Sequence, residues 1–163
     1  FVIGTIVVLL VCPLRINREY LAKEYQVGNP EYVKEHTVKV HGVFQWNILT
    51  ESEFKGKVIV SDHPASEVME NCAVRLQFFR GRGSEYYYDA EQKSQPGWPL
   101  GRIYQSGFMK DMCIILAENQ QGEFVSAPVK GSVWDSGDGY FVVTGNSSYE
   151  TAMKRLQKYE IID

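Results

Sequence analysis

The chain has 163 residues, a length typical of a single domain, and a formal net charge of −3. Its 17 Lys and Arg are scattered among 20 Asp and Glu, so the sequence implies no basic face and excludes a nucleic-acid partner. Ten Tyr and a high aromatic content favour strands over helices, and composition therefore predicts a single β-rich domain.

The first segment, Phe1 to Leu14, contains no charged residue, and we call it the apolar segment. A membrane-spanning helix needs roughly 20 apolar residues, so fourteen are too few on their own. Because the chain begins with Phe rather than Met, we expect this segment to be truncated upstream. We therefore predict an N-terminal apolar helix that anchors the chain in a membrane. The alternatives are the core of a signal peptide and a buried element of the fold.

Residues 15–36 are predicted to form a juxtamembrane connector. Asn17 can cap a short helix over Arg18 to Tyr25, and Gly28 to Pro30 would end it. The basic residues that follow the apolar segment favour a cytoplasmic domain by the positive-inside tendency. The flank needed for comparison is missing, so this rule leaves the side of the membrane open.

From Thr37 onwards the hydrophobic pattern takes the period of strands, and residues 37–163 are predicted to form the globular domain. Gly42 indicates a bulge or a close backbone approach. The expected architecture is an antiparallel β-sandwich or partly open barrel of seven to eight strands. The predicted strands are Val38–Trp46, Phe54–Val60, Ala73–Phe79, Tyr86–Tyr88, Leu100–Tyr104, Phe108–Ala117 and Gly139–Thr144, with Phe124–Val125 and Val133–Trp134 as short candidates.

The chain ends with a predicted amphipathic helix. Ser147 as N-cap and Glu150 three residues later make a capping box. An apolar stripe that includes Ala152 and Leu156 should pack on the sheet.

The longest irregular stretch, Glu91 to Pro99, is where we expect a binding surface. Loops carry recognition, and a loop tryptophan is a large amphipathic contact. The candidate binding residues are Trp98 in this loop and Tyr86, Tyr87 and Tyr88 before it. The alternative is that Trp98 covers one end of the core.

The three cysteines are Cys12, Cys72 and Cys113, and their spacing does not fit a zinc site. If the domain lies outside the cytoplasm, Cys72 and Cys113 could form a disulfide; the alternative is two buried thiols. The run from Asp135 to Gly139 is typical of a hairpin turn rather than of a calcium loop. We predict no metal site.

The histidines His36, His41 and His63 are predicted to lie on the surface. Asp62 beside His63 could orient an imidazole, yet no nucleophile can be identified to complete a catalytic set. No catalytic residue and no cofactor are therefore predicted, and the chain is more consistent with a non-enzyme.

One sequence pattern covers most of Val38 to Leu156. It consists of Val38-x-Val40-x-Gly42, Phe54-x-Gly56-x-Val58-x-Val60, Leu100-Gly101-Arg102-Ile103-Tyr104 with Phe108, and Val142-Val143-Thr144 before a helix with Ala152. In this pattern the chain resembles a group of small membrane-anchored proteins of Gram-positive bacteria that have no assigned function. The resemblance implies an N-terminal anchor and an extracytoplasmic β-rich domain, and it brings no catalytic residues.

The functional expectation is a membrane-anchored, extracytoplasmic domain with a binding or structural role. Its partners would be the membrane, through the apolar segment, and another protein. A membrane-tethered hydrolase is the first alternative. The second is an immunity or inhibitor protein, for which an exposed aromatic patch without a pocket would be the sign.

Overall fold

A computed structural model describes residues 13–47, 51–63, 66, 73–78, 84–87, 99–116, 134 and 137–162, with the backbone alone described for 84–87, 99–100 and 116. Its elements are β1 (Leu14–Gln26), β2 (Asn29–Gln45), β3 (Ser52–Val60), β4 (Val74–Phe78), β5 (Ser84–Tyr87), β6 (Pro99–Ser106), β7 (Asp111–Leu116), β8 (Tyr140–Thr144) and α1 (Tyr149–Lys158).

All eight strands belong to one antiparallel sheet, with the order β4-β3-β2-β1-β8-β7-β6-β5. The sheet curls into a half-barrel. This result confirms the prediction of a mainly β, antiparallel domain with a C-terminal helix. The predicted N-terminal helix falls largely on residues 1–12, which lie outside the described residues. None of the described helices has the length and apolar character needed to cross a membrane.

The two faces of the sheet bury two separate apolar clusters, because successive side chains of a strand point to opposite faces. The inner cluster fills the curl of the half-barrel, and the outer cluster lies between the sheet and α1. Members of the inner cluster include Ile16, Ala22, Val38, Val40, Phe44, Phe54, Leu76, Ile103, Met109, Ile114 and Val142. The outer cluster comprises Tyr25, Val27, Cys113, Ile115, Phe141, Val143, Ala152 and Leu156.

The helix predicted over Arg18 to Tyr25 is wrong, because these residues lie within β1. The residues of the expected connector, 15–36, instead contribute β1 and the first part of β2 to the sheet. Gly28, with a φ of 77°, lies in the tight turn between the two strands. The strand wins over the helix-favouring composition because β1 pairs along its whole length with β2 and also with β8.

Gly42 marks a close backbone approach, as the sequence predicted, and its pairing with Gly56 shows no bulge. A Cβ on Gly42 would lie 2.3 Å from the carbonyl oxygen of Lys55 and 2.8 Å from the ring of Phe54. The fully buried Phe54 ring occupies the inner space that a side chain at Gly42 would need.

The other predicted strands are found with shifted ends. The strand expected from Phe108 begins only at Asp111, because residues 107–110 form the turn after β6. The short candidate Phe124–Val125 lies outside the described residues, and so does Val133.

Helix α1 confirms the predicted C-terminal helix, including the burial of Ala152 and Leu156. The N-cap is Ser148 rather than the predicted Ser147, and its hydroxyl accepts a hydrogen bond from the backbone N–H of Thr151. Ser147 is instead buried, and its carbonyl oxygen accepts a hydrogen bond from the hydroxyl of Tyr25. This bond ties the start of the helix to β1.

Candidate functional site

The four aromatic residues predicted to form a binding surface are not brought together by any described contact. Tyr86 and Tyr87 lie in β5, of which only the backbone is described, and Tyr88 and Trp98 lie outside the described residues. Their role in binding stays a prediction.

The side chain of Cys113 is fully buried in β7. For the free thiol, burial raises the pKa to about 12, because a thiolate loses its hydration in an apolar surrounding. A Cys113 without a disulfide partner is therefore protonated and unreactive at neutral pH. Cys72 lies outside the described residues, so its pairing with Cys113 stays a prediction.

The prediction that all three histidines lie on the surface is wrong for two of them. His41 is exposed on β2, but His36 and His63 are only 3% and 4% exposed. His36 lies on the inner face of β2, the face of Val38 and Val40, and is buried with them because it finds an acidic partner there.

The buried Glu24 and His36 and the half-buried Tyr32 form a group that we call the polar trio. The Nε2 atom of His36 lies 2.9 Å from Oε2 of Glu24, and the hydroxyl of Tyr32 donates to Oε1 of Glu24 over 2.5 Å. The Nδ1 atom of His36 lies 2.6 Å from the carbonyl oxygen of Ser61. The β1–β2 register creates this contact, because Ala22 is the partner of His36 and Glu24 is its diagonal neighbour.

The hydrogen-bond partners determine the charge of His36. Its two ring nitrogens face a backbone carbonyl at Ser61 and a carboxylate at Glu24, and both of these groups are acceptors. Each ring nitrogen must therefore carry a proton, which makes His36 a cation and the pair with Glu24 a salt bridge.

The pKa shifts of the two partners agree with a charged pair. Burial lowers the pKa of His36, but the hydrogen bonds to Glu24 and Ser61 outweigh it and raise the pKa above the ordinary value of 6.5. Burial raises the pKa of Glu24, but the hydrogen bonds from His36 and Tyr32 outweigh it and lower the pKa below 4.5. Both groups are stabilised in their charged forms.

The polar trio has little capacity for catalysis. A general base needs a ring nitrogen free to accept a proton, and both nitrogens of His36 are used as donors. Both oxygens of Glu24 also accept hydrogen bonds within the trio. The trio therefore acts as a structural ion pair that joins β1, β2 and the end of β3.

A second feature is an exposed apolar group, Leu14, Trp46 and Phe108, which we call the rim. These side chains are 44%, 41% and 42% exposed. Leu14 is the register partner of Phe44, and the ring of Phe44 packs edge-on against Phe108 at a centroid distance of 5.6 Å. The rings of Trp46 and Phe108 lie edge to face at 6.1 Å. The rim thus lies where β1 begins and β2 ends.

An unusual turn presents Phe108. Gly107, Phe108 and Met109 have φ angles of 60°, 57° and 64°, a left-handed conformation that costs a non-glycine residue about 1 to 2 kcal/mol. The backbone N–H of Met109 donates to the side chain of Gln105 over 3.0 Å, and the Met109 side chain is fully buried. The turn therefore sends Met109 into the core and Phe108 outward to the rim.

Within the ranges that the structure describes, no three His, Cys, Asp or Glu residues come together as a possible metal site. Comparison of the chain with protein-family models, with curated proteins and with solved structures found no match. The functional argument therefore depends on the geometry of the polar trio and the rim.

Sequence reasoning missed both features, because residues of each were assigned to the wrong element. Glu24 and His36 lie 12 positions apart and meet only through the β1–β2 pairing, which the helix predicted over Arg18 to Tyr25 excluded. The alternation of Tyr20, Ala22 and Glu24 on one face was the available signal. For the rim, Gly107 followed by polar Lys110 could have indicated a turn.

Proposed function

We propose that the chain is a membrane-tethered, non-enzymatic domain with a binding or structural role, anchored by an N-terminal helix that includes residues 1–12 of the apolar segment. One observation carries the proposal: β1 begins at Leu14, the last residue of the apolar segment. With no connector between the two, insertion of the apolar segment would hold the sheet directly at the membrane surface.

The described side chains support a binding role over a catalytic one. The buried acid–histidine pair has its ring nitrogens and its carboxylate oxygens occupied, so the hydrolase alternative finds no base there. The rim, in contrast, leaves a tryptophan and a phenylalanine about two-fifths exposed. Such residues are enriched at contact surfaces.

An interaction protein of the immunity or inhibitor type is the second candidate. The same exposed rings favour it, because an aromatic patch is also the usual core of a protein interface. For the side of the membrane, the resemblance to small membrane-anchored proteins of Gram-positive bacteria supports an extracytoplasmic domain.

Membrane fractionation of the full chain tests the anchor. We expect the protein to float with membranes and to stay there after alkaline carbonate extraction. The double variant Val8→Lys with Leu10→Lys should move it to the soluble fraction, because a Lys near the centre of a membrane helix costs about 2.5 to 3.5 kcal/mol.

Leu21→Lys is the matched control, because Leu21 is 75% exposed on β1 and lies outside the apolar segment. It should stay with the membranes. A soluble wild-type chain would contradict the anchor, and a C-terminal reporter active only in the cytoplasm would contradict the extracytoplasmic placement.

A further inference from the structure

We propose that the rim rests in the headgroup region of the bilayer, so that Leu14, Trp46 and Phe108 contact lipid directly. This inference builds on the proposed anchor and adds the surface by which the sheet meets the membrane. It commits to lipid, rather than to a second protein, as the occupant of the rim.

Chain continuity is the first argument. Leu14 is the last residue of the uncharged apolar segment and also the first residue of β1. Wherever the apolar segment leaves the hydrocarbon, Leu14 lies at that boundary. A leucine 44% exposed to water is unfavourable, and a membrane that holds the apolar segment would give it an apolar surrounding instead.

Strand pairing then places the aromatic residues at the same boundary. Leu14 and Phe44 are register partners, and residues paired across antiparallel strands have Cβ atoms about 5 Å apart. Phe108 packs against Phe44, and Trp46 packs against Phe108. The three exposed side chains therefore form one continuous apolar group beginning at the point of attachment.

The residue types suit this position. Tryptophan is enriched at both membrane interfaces, where its ring body contacts acyl chains and its N–H reaches water or headgroups. Among the described residues, the exposed charges within five positions of a rim residue in sequence are balanced, with Arg15, Arg18 and Lys110 against Glu19, Glu51 and Asp111. We therefore expect contact with zwitterionic and anionic bilayers alike, driven by the apolar side chains.

Quenching of tryptophan by brominated lipids tests the contact. The full chain is reconstituted into phosphatidylcholine vesicles with bromine at a shallow or a deep acyl position. The signal of Trp46 is taken as the difference between the wild type and Trp46→Phe, which removes the contributions of Trp98 and Trp134. We expect loss of most Trp46 emission with shallow bromine and a smaller loss with deep bromine.

Two variants sharpen the test. Phe108→Asn should reduce the quenching of Trp46 and shift its emission towards that of a water-exposed ring, because it removes the neighbouring apolar contact. Leu21→Ser, the control, should leave the quenching unchanged, because Leu21 points away from the inner face.

The outcomes separate the inference from the proposed function. Trp46 emission that bromine leaves intact, in a chain that floats with the vesicles, overturns the rim contact while the anchor stands. Trp46 shielded only after a membrane-protein extract is added assigns the rim to a protein partner and also overturns it. A chain that does not float refutes the proposed anchor itself.

Discussion

Glu24 and His36 form an ion pair on the inner face of the half-barrel, at positions where apolar residues would match the surrounding side chains. The two residues are 6% and 3% exposed, and each bears hydrogen bonds that stabilise its charged form. Because a buried charge without its partner is strongly unfavourable, the two residues depend on each other.

Replacing Glu24 by Gln should therefore lower the free energy of unfolding by about 3 to 5 kcal/mol, because the charge on His36 is left unpaired. Chemical denaturation of purified protein measures this loss. Glu19→Gln on the same strand is the control, since the Glu19–Lys39 pair is exposed and spans 4.0 Å; its change should stay below about 1 kcal/mol. Equal losses for the two variants would contradict a buried ion pair.

The pair also gives the stability a pH dependence. The pKa of His36 is raised, so its contribution is complete below 6.5 and is lost as the pH rises through the higher pKa of the folded state. The pKa of Glu24 is lowered, so its contribution is complete above 4.5 and is lost as the pH falls further. The stabilisation should be greatest between pH 4.5 and 6.5, and Glu24→Gln should flatten the profile.

At the scale of the elements, the described glycines with the least space for a side chain lie where β2 and β3 pair. A Cβ on Gly42 would lie 2.7 Å from Cα of Gly56, and one on Gly56 would lie 2.1 Å from the carbonyl oxygen of His41. The two strands cannot move apart without breaking the β2–β3 hydrogen bonds that also hold Phe54 in place. Glycine is therefore required at both positions.

Gly42→Ala should lower the free energy of unfolding by about 3 kcal/mol or more, the upper range for over-packing a core. Thermal or urea denaturation measures the loss. Val43→Ala, next along β2 at an exposed position, is the control and should cost about 1 kcal/mol or less. A Gly42→Ala variant as stable as this control would show that the two strands can separate at no cost.

The strands differ in how well the sequence alone predicts them. Strands with a strict alternation, such as β4, were predictable because Val74, Leu76 and Phe78 point one way. β1 was not, because the inner face of its second half contains Ala22 and Glu24 rather than large apolar residues, and its residues favour a helix in isolation. The polar trio could not be predicted without that strand, since register alone brings its members together.

For the whole molecule, β1 connects two ends with different chemistry. The rim begins at Leu14, and the polar trio lies ten residues further along at Glu24, about 30 Å away at 3.2 to 3.4 Å per residue. If the rim rests on lipid, the Glu24–His36 pair lies at the end of β1 far from the membrane. Its protonation would then follow the pH of the bulk solution.

Phe108 connects the fold to the proposed membrane contact. Its strained, left-handed turn lowers the stability of the fold but exposes an aromatic ring at the rim. Phe108→Asn should change the free energy of unfolding by about 1 kcal/mol or less. Relief of a left-handed strain of about 1 to 2 kcal/mol offsets most of the two lost ring contacts, which are worth about 0.5 to 1.5 kcal/mol each. Denaturation in detergent solution, away from the bilayer, measures this change.

The comparison variant is Phe54→Ala, whose fully buried ring should cost about 3 to 5 kcal/mol when removed. A residue kept for stability would behave like Phe54. If Phe108→Asn is nearly as stable as the wild type but loses lipid contact, the strained turn serves the surface rather than the core. If it is destabilised as much as Phe54→Ala, Phe108 is a core residue and the rim is not a docking surface.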